Sequence, residues 1–249
     1  AKGMVRSHLF VAANTALPHL RGDTNMIERI KAFLATACRV DITQIVLPGK
    51  RHFLPATAVK PAVRPGEVVE AHVVVRNLNV GHAFPAGTVD SNEVWLAFEA
   101  SVGGQPAFYA SGRIDPETGE LDPSSEQYRS YWHRRDGTRF VSRVANDLYT
   151  LIYAKRIGPG TADVVRYRFR VPDDASGSLE LKATLRYRKF SMAHMRNVAN
   201  VLGSEDGHTI AHTLETDYLV PGETIRVDLR TMPVVDMATT RIEIGRAHV

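Results

Sequence analysis

The run EVVEAHVVVRNLNV, residues 67–80, carries apolar side chains at every second position over most of its length. Successive side chains of a strand point to opposite faces, so a period of two marks a strand with one face in a core. Related texture recurs in VDITQIV, EVWLAFEASV, AFYASGRI, VVRYRFRV, GSLELKATLRYRKF and GETIRVDLR. The last three each follow Pro, Gly or Asp, and RPGE and GGQP supply tight-turn signals elsewhere. Asp136-Gly137 marks a hairpin turn. Short strands at regular spacing, with no strand–helix–strand alternation, specify an antiparallel, immunoglobulin-like β-sandwich.

A short helical segment precedes the strands. Met26, Ile27, Ile30, Phe33 and Leu34 recur at helical spacing behind Asp23, a good N-cap, so residues 23–37 read as one amphipathic helix. SMAHMRNVANVLG reads as a second, partly exposed helix, and VANDLYTLIYAKRIGPG fits strand or helix. The expected organisation is an irregular and helical region over 1–50 and a β-sandwich domain over 51–249, divided near PGKRHFLPA.

With 249 residues the chain can bury a substantial core. Its formal charge of +4 favours acidic partners or carboxylates and falls short of a nucleic-acid-binding signature. YRSYWHRRDGTRF interleaves aromatics with Arg as single-strand binders do, but in one hairpin this composition more often marks a sheet edge. No apolar window is long enough to span a membrane. The first residues, AKGMVRSH, read as the interior of something longer, and the compartment is not legible from that end.

One cysteine, Cys38, rules out an internal disulfide and any multi-cysteine metal site, and reads as a small buried side chain. No nucleophile elbow, HExxH or phosphate-binding glycine loop is present, and an enzyme is not expected. Histidine, with ten copies, is the residue to interrogate. His208 and His212 have helical chelate spacing, but the central Glu of a zincin is missing and the segment reads as loop to strand. His194 lies between two Met residues, a soft-ligand setting that also suits a partly buried helix. Arg166, Arg168 and Arg170 alternate, and Arg186, Arg188 and Lys189 follow in the next strand, so each set marks a solvated sheet face or a basic face for an acidic domain or propionates. His82 sits in a loop braced by Gly81, Pro85 and Gly87, where a stiff backbone would hold the ring in one orientation, as an iron or other transition-metal ligand requires.

Two long stretches are distinctive. RSHLFVAANTALPHLRGD resembles the segment that follows the last haem-attachment motifs in bacterial multihaem c-type cytochromes related to cytochrome c-554. NLNVGHAFPAGTVDSNEVWLAFEA resembles their Val-Gly-His-x-Phe-Pro-x-Gly-Thr segment and the strand after it. YAKRIGPGTADVVRYRF and LKATLRYRKF are similar to later strands of the same region, so the resemblance runs from residue 5 to about 240. It implies a C-terminal β-rich portion of an exported, periplasmic or cell-surface electron-transfer protein. By that analogy His8 is a distal haem ligand and His82 a weaker candidate for the same task or for packing beside a haem. Phe10 and Asn14 would belong to the FVAANTALP run that covers a porphyrin edge. His19 departs from the family pattern and inherits no role.

The chain contains no Cys-x-x-Cys-His, so it cannot attach haem c by itself. The resemblance therefore implies haem c held upstream in a longer polypeptide or on a separate haem-bearing cytochrome subunit, with redox proteins as further partners. A homologue that has lost haem and kept the β-domain is the third option. The competing class is a haem-free β-sandwich module that docks a protein or a glycan.

Overall fold

In a computed structural model, described over residues 11–49, 51–58, 61–140, 145–213 and 224–247, the chain forms an antiparallel β-sandwich behind a short helical segment. Helices α1 (Ala16–Leu20) and α2 (Thr24–Leu34) come first, followed by β1 (Cys38–Leu47), β2 (Arg51–Phe53) and β3 (Val68–Asn77). Then come β4 (Glu93–Val102), β5 (Tyr109–Ser111), β6 (Glu126–Gln127), β7 (Ser130–His133) and β8 (Thr150–Ala154). The chain continues through β9 (Ala162–Arg170), β10 (Gly177–Arg188), α3 (Met192–Val201), β11 (Thr209–Thr213), β12 (Thr224–Asp228) and β13 (Val234–Ala247).

One sheet runs β2-β1-β3-β9 and the other β13-β10-β4-β5, with β6 beside the start of β4. Their inner faces meet through aromatic residues. Phe98 of β4 stacks on Tyr167 of β9 with ring centroids 4.3 Å apart and planes 7° from parallel, and Phe169 lies against Phe98 and Tyr109. Offset stacking in a dry core adds to the burial energy of each ring. The Tyr167 hydroxyl crosses between sheets to donate to the Leu96 carbonyl at 3.1 Å, which satisfies a phenol in an otherwise apolar layer.

The helix over 23–37 forms as its spacing requires. Asp23 accepts from Met26 N at 2.9 Å, and Ile27, Ile30 and Leu34 are buried while Phe33 faces out. Ile30 and Leu34 belong to the same apolar cluster as the sandwich interior. β1 precedes the boundary expected near residue 50, yet it is hydrogen-bonded to β3 beyond it over most of its length. α3 is helical as expected, and its Met192 and Met195 pack with Ala16, Ile210, Leu229 and Met232 in a second, smaller core.

Three features depart from the sequence reading. The Asp136-Gly137 turn forms, with Gly137 at φ +81, but the main partner of β7 is β8. The AFYASGRI strand shortens to Tyr109–Ser111. β13, paired along nearly the whole of β10, was not singled out at all. Ala238 faces Leu185 and Asp236 faces Arg186, which leaves Met237 as an extra residue between them. A bulge of this kind reverses the phase of alternation, and Val235 before it and Ile242 and Ile244 after it are buried out of step.

Candidate functional site

The loop between β3 and β4 is held at both ends by buried polar side chains. Asn77, fully buried at the end of β3, donates from Nδ2 to the carbonyls of His82 (3.0 Å) and Ile157 (3.1 Å), and its Oδ1 accepts from Val80 N (3.1 Å). Phe84 is buried in the main core and exchanges backbone hydrogen bonds with Ile157 at 2.8 and 2.7 Å. The Phe84-Pro85 peptide is cis. Gly87 takes φ +68, where a Cβ would be strained, and Thr88 Oγ1 donates to Asn92 Oδ1 at 3.0 Å as the loop enters β4. Gly81 needs no special conformation. The loop is tied to its surroundings through Asn77 and Phe84 and not through Gly81.

His82 is exposed on this loop, and its Nδ1 lies 3.1 Å from the Ala83 carbonyl. A carbonyl only accepts, so Nδ1 carries the proton in the neutral ring and Nε2 keeps its lone pair. That tautomer is the one a metal takes, with the outer nitrogen oriented by a backbone acceptor.

The loop forms one wall of a cavity of about 620 Å³, within the range of cofactor pockets. Val11–Asn14 and the C-terminal end of α2 form the facing walls, with Tyr187 and Lys189 at the side. The lining is mostly apolar: Val11, Phe33, Val80, Phe84 and Pro85 contribute to it. Tyr187, buried, donates from its hydroxyl to the Ala13 carbonyl at 2.7 Å and so fastens the N-terminal wall to β10. Asn14 Oδ1 accepts from Ala16 N and Leu17 N at 3.1 and 3.3 Å, which starts α1 where the wall ends. A polar corner holds Lys189, whose Nζ donates to Thr88 Oγ1 at 3.3 Å and Asn92 Oδ1 at 3.4 Å. His82 and Asn14 thus line one groove; His8 and Phe10 lie outside the described residues.

The loop is anchored from beneath by charge. Glu93, first residue of β4, and Arg188, last of β10, are both buried, and Arg188 donates to Glu93 Oε2 through Nε at 2.8 Å and through Nη2. Arg188 Nη1 also donates to the Gly119 carbonyl at 2.8 Å. Arg129 stands 3.9 Å from Glu93 and donates to the Asp90 carbonyl at 3.0 Å, tying the loop itself to the cluster. Burial pushes the Glu93 carboxyl above the ordinary range, and Arg188, then Arg129, pull against that shift. Arg188 is therefore not on a solvated sheet face, as its alternation with Arg186 suggests. Residues 111–122 cover this end of the outer face, over Trp95, whose indole donates to the Gly112 carbonyl at 3.0 Å. Arg166, Arg168 and Arg170 are exposed as expected. They do not line the groove.

The other candidates resolve into structure. His212 lies in strand β11 (Thr209–Thr213) and His208 just before it, so the two are not on a helix. His194 lies in α3 with its ring 5.0 Å from that of Phe190. Cys38 is buried and its thiol is pushed up to about 12 by burial. Among the described residues no group of three or more His, Cys, Asp or Glu could hold a metal ion. The described residues could offer one imidazole, that of His82, to a metal whose other ligands come with it. With one cysteine the chain does not fit covalent haem attachment.

Comparison with known proteins bears on the fold. No protein-family model matches this chain, and no curated protein matches it. A solved structure of a penta-heme cytochrome c552 from Thermochromatium tepidum shares the architecture, with a TM-score of 0.50 and 12% identity. The likeness covers 86% of this chain and 41% of that one, so the chain spans less than half the length of that cytochrome. The β-sandwich thus has a counterpart within a multihaem cytochrome. No helix among the described residues is long and apolar enough to cross a membrane.

Asn77, the place of Phe33 in the groove wall and the pairing of Arg188 with Glu93 escaped the sequence reading. An Asn at the end of a strand and before a Gly-containing segment is an Asx-turn signal that could have marked the first. Nothing in a single sequence marks the other two.

Proposed function

We propose that the chain is the β-rich, haem-capping portion of an electron-transfer assembly related to multihaem c-type cytochromes. In this reading it closes over haem c whose covalent attachment lies outside these residues, either elsewhere in a longer polypeptide or on a haem-bearing subunit. The observation that carries it is the apolar groove lined by an exposed His82, whose Nδ1 lies 3.1 Å from the Ala83 carbonyl. The fold shared with the penta-heme cytochrome supports it.

Each part of the groove has a task in that reading. His82 Nε2 offers the axial nitrogen, and Asn77 fixes the loop that carries it. Val11, Phe33 and Phe84 exclude water from the porphyrin edge, and a drier setting shifts the reduction potential. Lys189, beside Thr88 and Asn92, can meet a propionate through a charge-assisted hydrogen bond. Haem held there, with His82 as one ligand, would supply a one-electron carrier, which suits electron transfer. The chain is then a non-catalytic component of an exported, periplasmic or cell-surface assembly. His8, in the segment leading to Val11, is the second histidine to test as a ligand.

The test uses a haem peptide that carries Cys-x-x-Cys-His and its proximal imidazole, with the sixth position open. Titrated with the chain, it should turn low-spin at concentrations about tenfold or more below those of free imidazole, because a shaped apolar groove adds to the bond. His82→Ala should abolish the change. Retention of the low-spin spectrum in His82→Ala moves the ligand role to another histidine, with His8→Ala next. No response from the wild-type chain would favour the haem-free module that docks a protein or glycan.

A further inference from the structure

β7 and β8 form a two-stranded sheet of their own, outside both layers of the sandwich. All five residues of β8 are exposed. Neighbouring strand residues point to opposite faces, so both faces of β8 are open, and it pairs with no second strand among the described residues. Large apolar side chains stand exposed here: Leu151 (45%) and Ile152 (54%) within β8, and Tyr149 (60%) just before it. Long, apolar, unpaired edges are a liability that folded proteins ordinarily blunt or cover.

The arm is nevertheless built firmly. Lys155 at its base bridges Glu126 and Asp163 at 2.7 and 2.8 Å, and its amide donates to the Arg129 carbonyl. Tyr131 and Tyr153 face each other across the strands at 5.6 Å. Arg129 and Arg139 stack on Tyr131, at 4.7 and 4.3 Å from the ring centroid, so this aromatic is capped by the chain's own guanidinium groups. A base could not stack there without displacing them. The exposed apolar residues of β8 are therefore the part of the arm open to a partner.

Charge and position identify that partner. Arg135, Arg139 and Arg156 are exposed, and none has a carboxylate within ion-pair range among the described residues. A two-fold contact between copies through the arm would bring these arginines against themselves, whereas an acidic partner surface complements their charge. The arm also adjoins the haem groove. A hollow of about 280 Å³ between arm and loop is lined by Leu151 and Arg156 on one side and by Gly87, Val89 and Asp90 on the other. Gly87 lines both this hollow and the groove.

We propose that the β7–β8 arm is the docking arm for the haem-bearing unit, gripping an acidic patch with apolar residues beside the haem that the groove caps. This rests on the haem-capping reading and adds the contact that holds the two units together while His82 is engaged. Exposed charges at such a rim set the on-rate and its salt dependence, and the apolar edge of β8 sets the lifetime.

The probe is a net-acidic multihaem cytochrome c, with a strongly basic monohaem cytochrome c as control. The chain should bind the acidic protein more weakly as ionic strength rises, and should ignore the basic one. A triple variant, Arg135→Glu, Arg139→Glu and Arg156→Glu, should weaken binding about tenfold or more and flatten the salt dependence. Ile152→Ser, which changes no charge, should speed dissociation without altering the salt slope. Circular dichroism should show both variants folded; because Arg139 also stacks on Tyr131, Arg135→Glu with Arg156→Glu, which leaves that cap in place, should weaken binding in the same direction. Equal binding of the triple variant and the wild type would overturn the proposal. So would binding of the acidic and basic cytochromes alike, or association of the chain with itself through the arm. The haem-peptide titration separates the two claims, because the peptide has no acidic surface to grip. Arm variants should respond to it like the wild type, and His82→Ala should fail there while keeping the salt-dependent association.

Discussion

Replacing Arg188 with Met tests whether a buried ion pair anchors the groove. Arg188 and Glu93 are 1% and 5% exposed at the side chain, and the guanidinium makes its bonds to Glu93 and one to the Gly119 carbonyl. Met fills much of the same volume, so the dominant loss is electrostatic. Glu93 would be left in an apolar site with Arg129, 3.9 Å away, as its remaining counter-charge. Stranding one member of a buried pair costs about 3–5 kcal/mol. Against a total stability of about 5–15 kcal/mol, that is a large fraction. At roughly 2–4 °C per kcal/mol for a chain of this size, the melting point should fall by on the order of 10 °C.

The pH dependence carries a sign. The Glu93 carboxyl is raised by burial, and losing Arg188 raises it further. A raised carboxylate contributes stability that is fully present below its unfolded value and is lost as pH rises through its folded value. The penalty of Arg188→Met should therefore be small in acid, where Glu93 is protonated, and should grow from above the ordinary carboxylate range toward neutrality. Adding Glu93→Gln should recover a large part of the loss at neutral pH, since no charge is then stranded. Urea denaturation of the wild type, Arg188→Met and the double variant across pH measures all of this. A loss under about 1 kcal/mol, a loss independent of pH, or a double variant no better than Arg188→Met would refute the reasoning.

Two further predictions concern the frame around the groove. Asn77→Ala removes three hydrogen bonds of a fully buried amide and should cost about 2–3 kcal/mol; it should also weaken the haem-peptide response, because the His82 carbonyl loses its donor. Tyr167→Phe keeps the stack on Phe98 and removes only the hydroxyl bond to Leu96, so thermal unfolding should shift by about 1 kcal/mol with no change at the groove.

Elements that keep one period from end to end were legible in the sequence. α2 shows a capping Asp23 and a clean 3.6-residue stripe, and β3 and β9 alternate throughout, so their buried faces follow from spacing alone. β13 was hidden because the bulge at Met237 reverses its phase. Arg188 read as a solvent-facing residue because its period is that of an outer face, and a single sequence does not show that residues 111–122 fold over that face. The site divides in the same way. His82 could be found in its loop because Pro and Gly announce local geometry. Phe33 and Tyr187, which complete the groove, come from distant segments brought together by packing, and Asn14 was found through family resemblance. Both faces of β8 are open, so its five-residue segment has no buried stripe to betray it as strand.

The most direct test of the haem-capping account is hyperfine spectroscopy of the ferric assembly, made from this chain labelled with ¹⁵N-histidine and a haem-bearing unit left at natural abundance. The account predicts a ¹⁵N coupling to low-spin iron from the labelled chain, and its loss in His82→Ala. A low-spin ferric haem with no ¹⁵N coupling from the wild-type chain would contradict it.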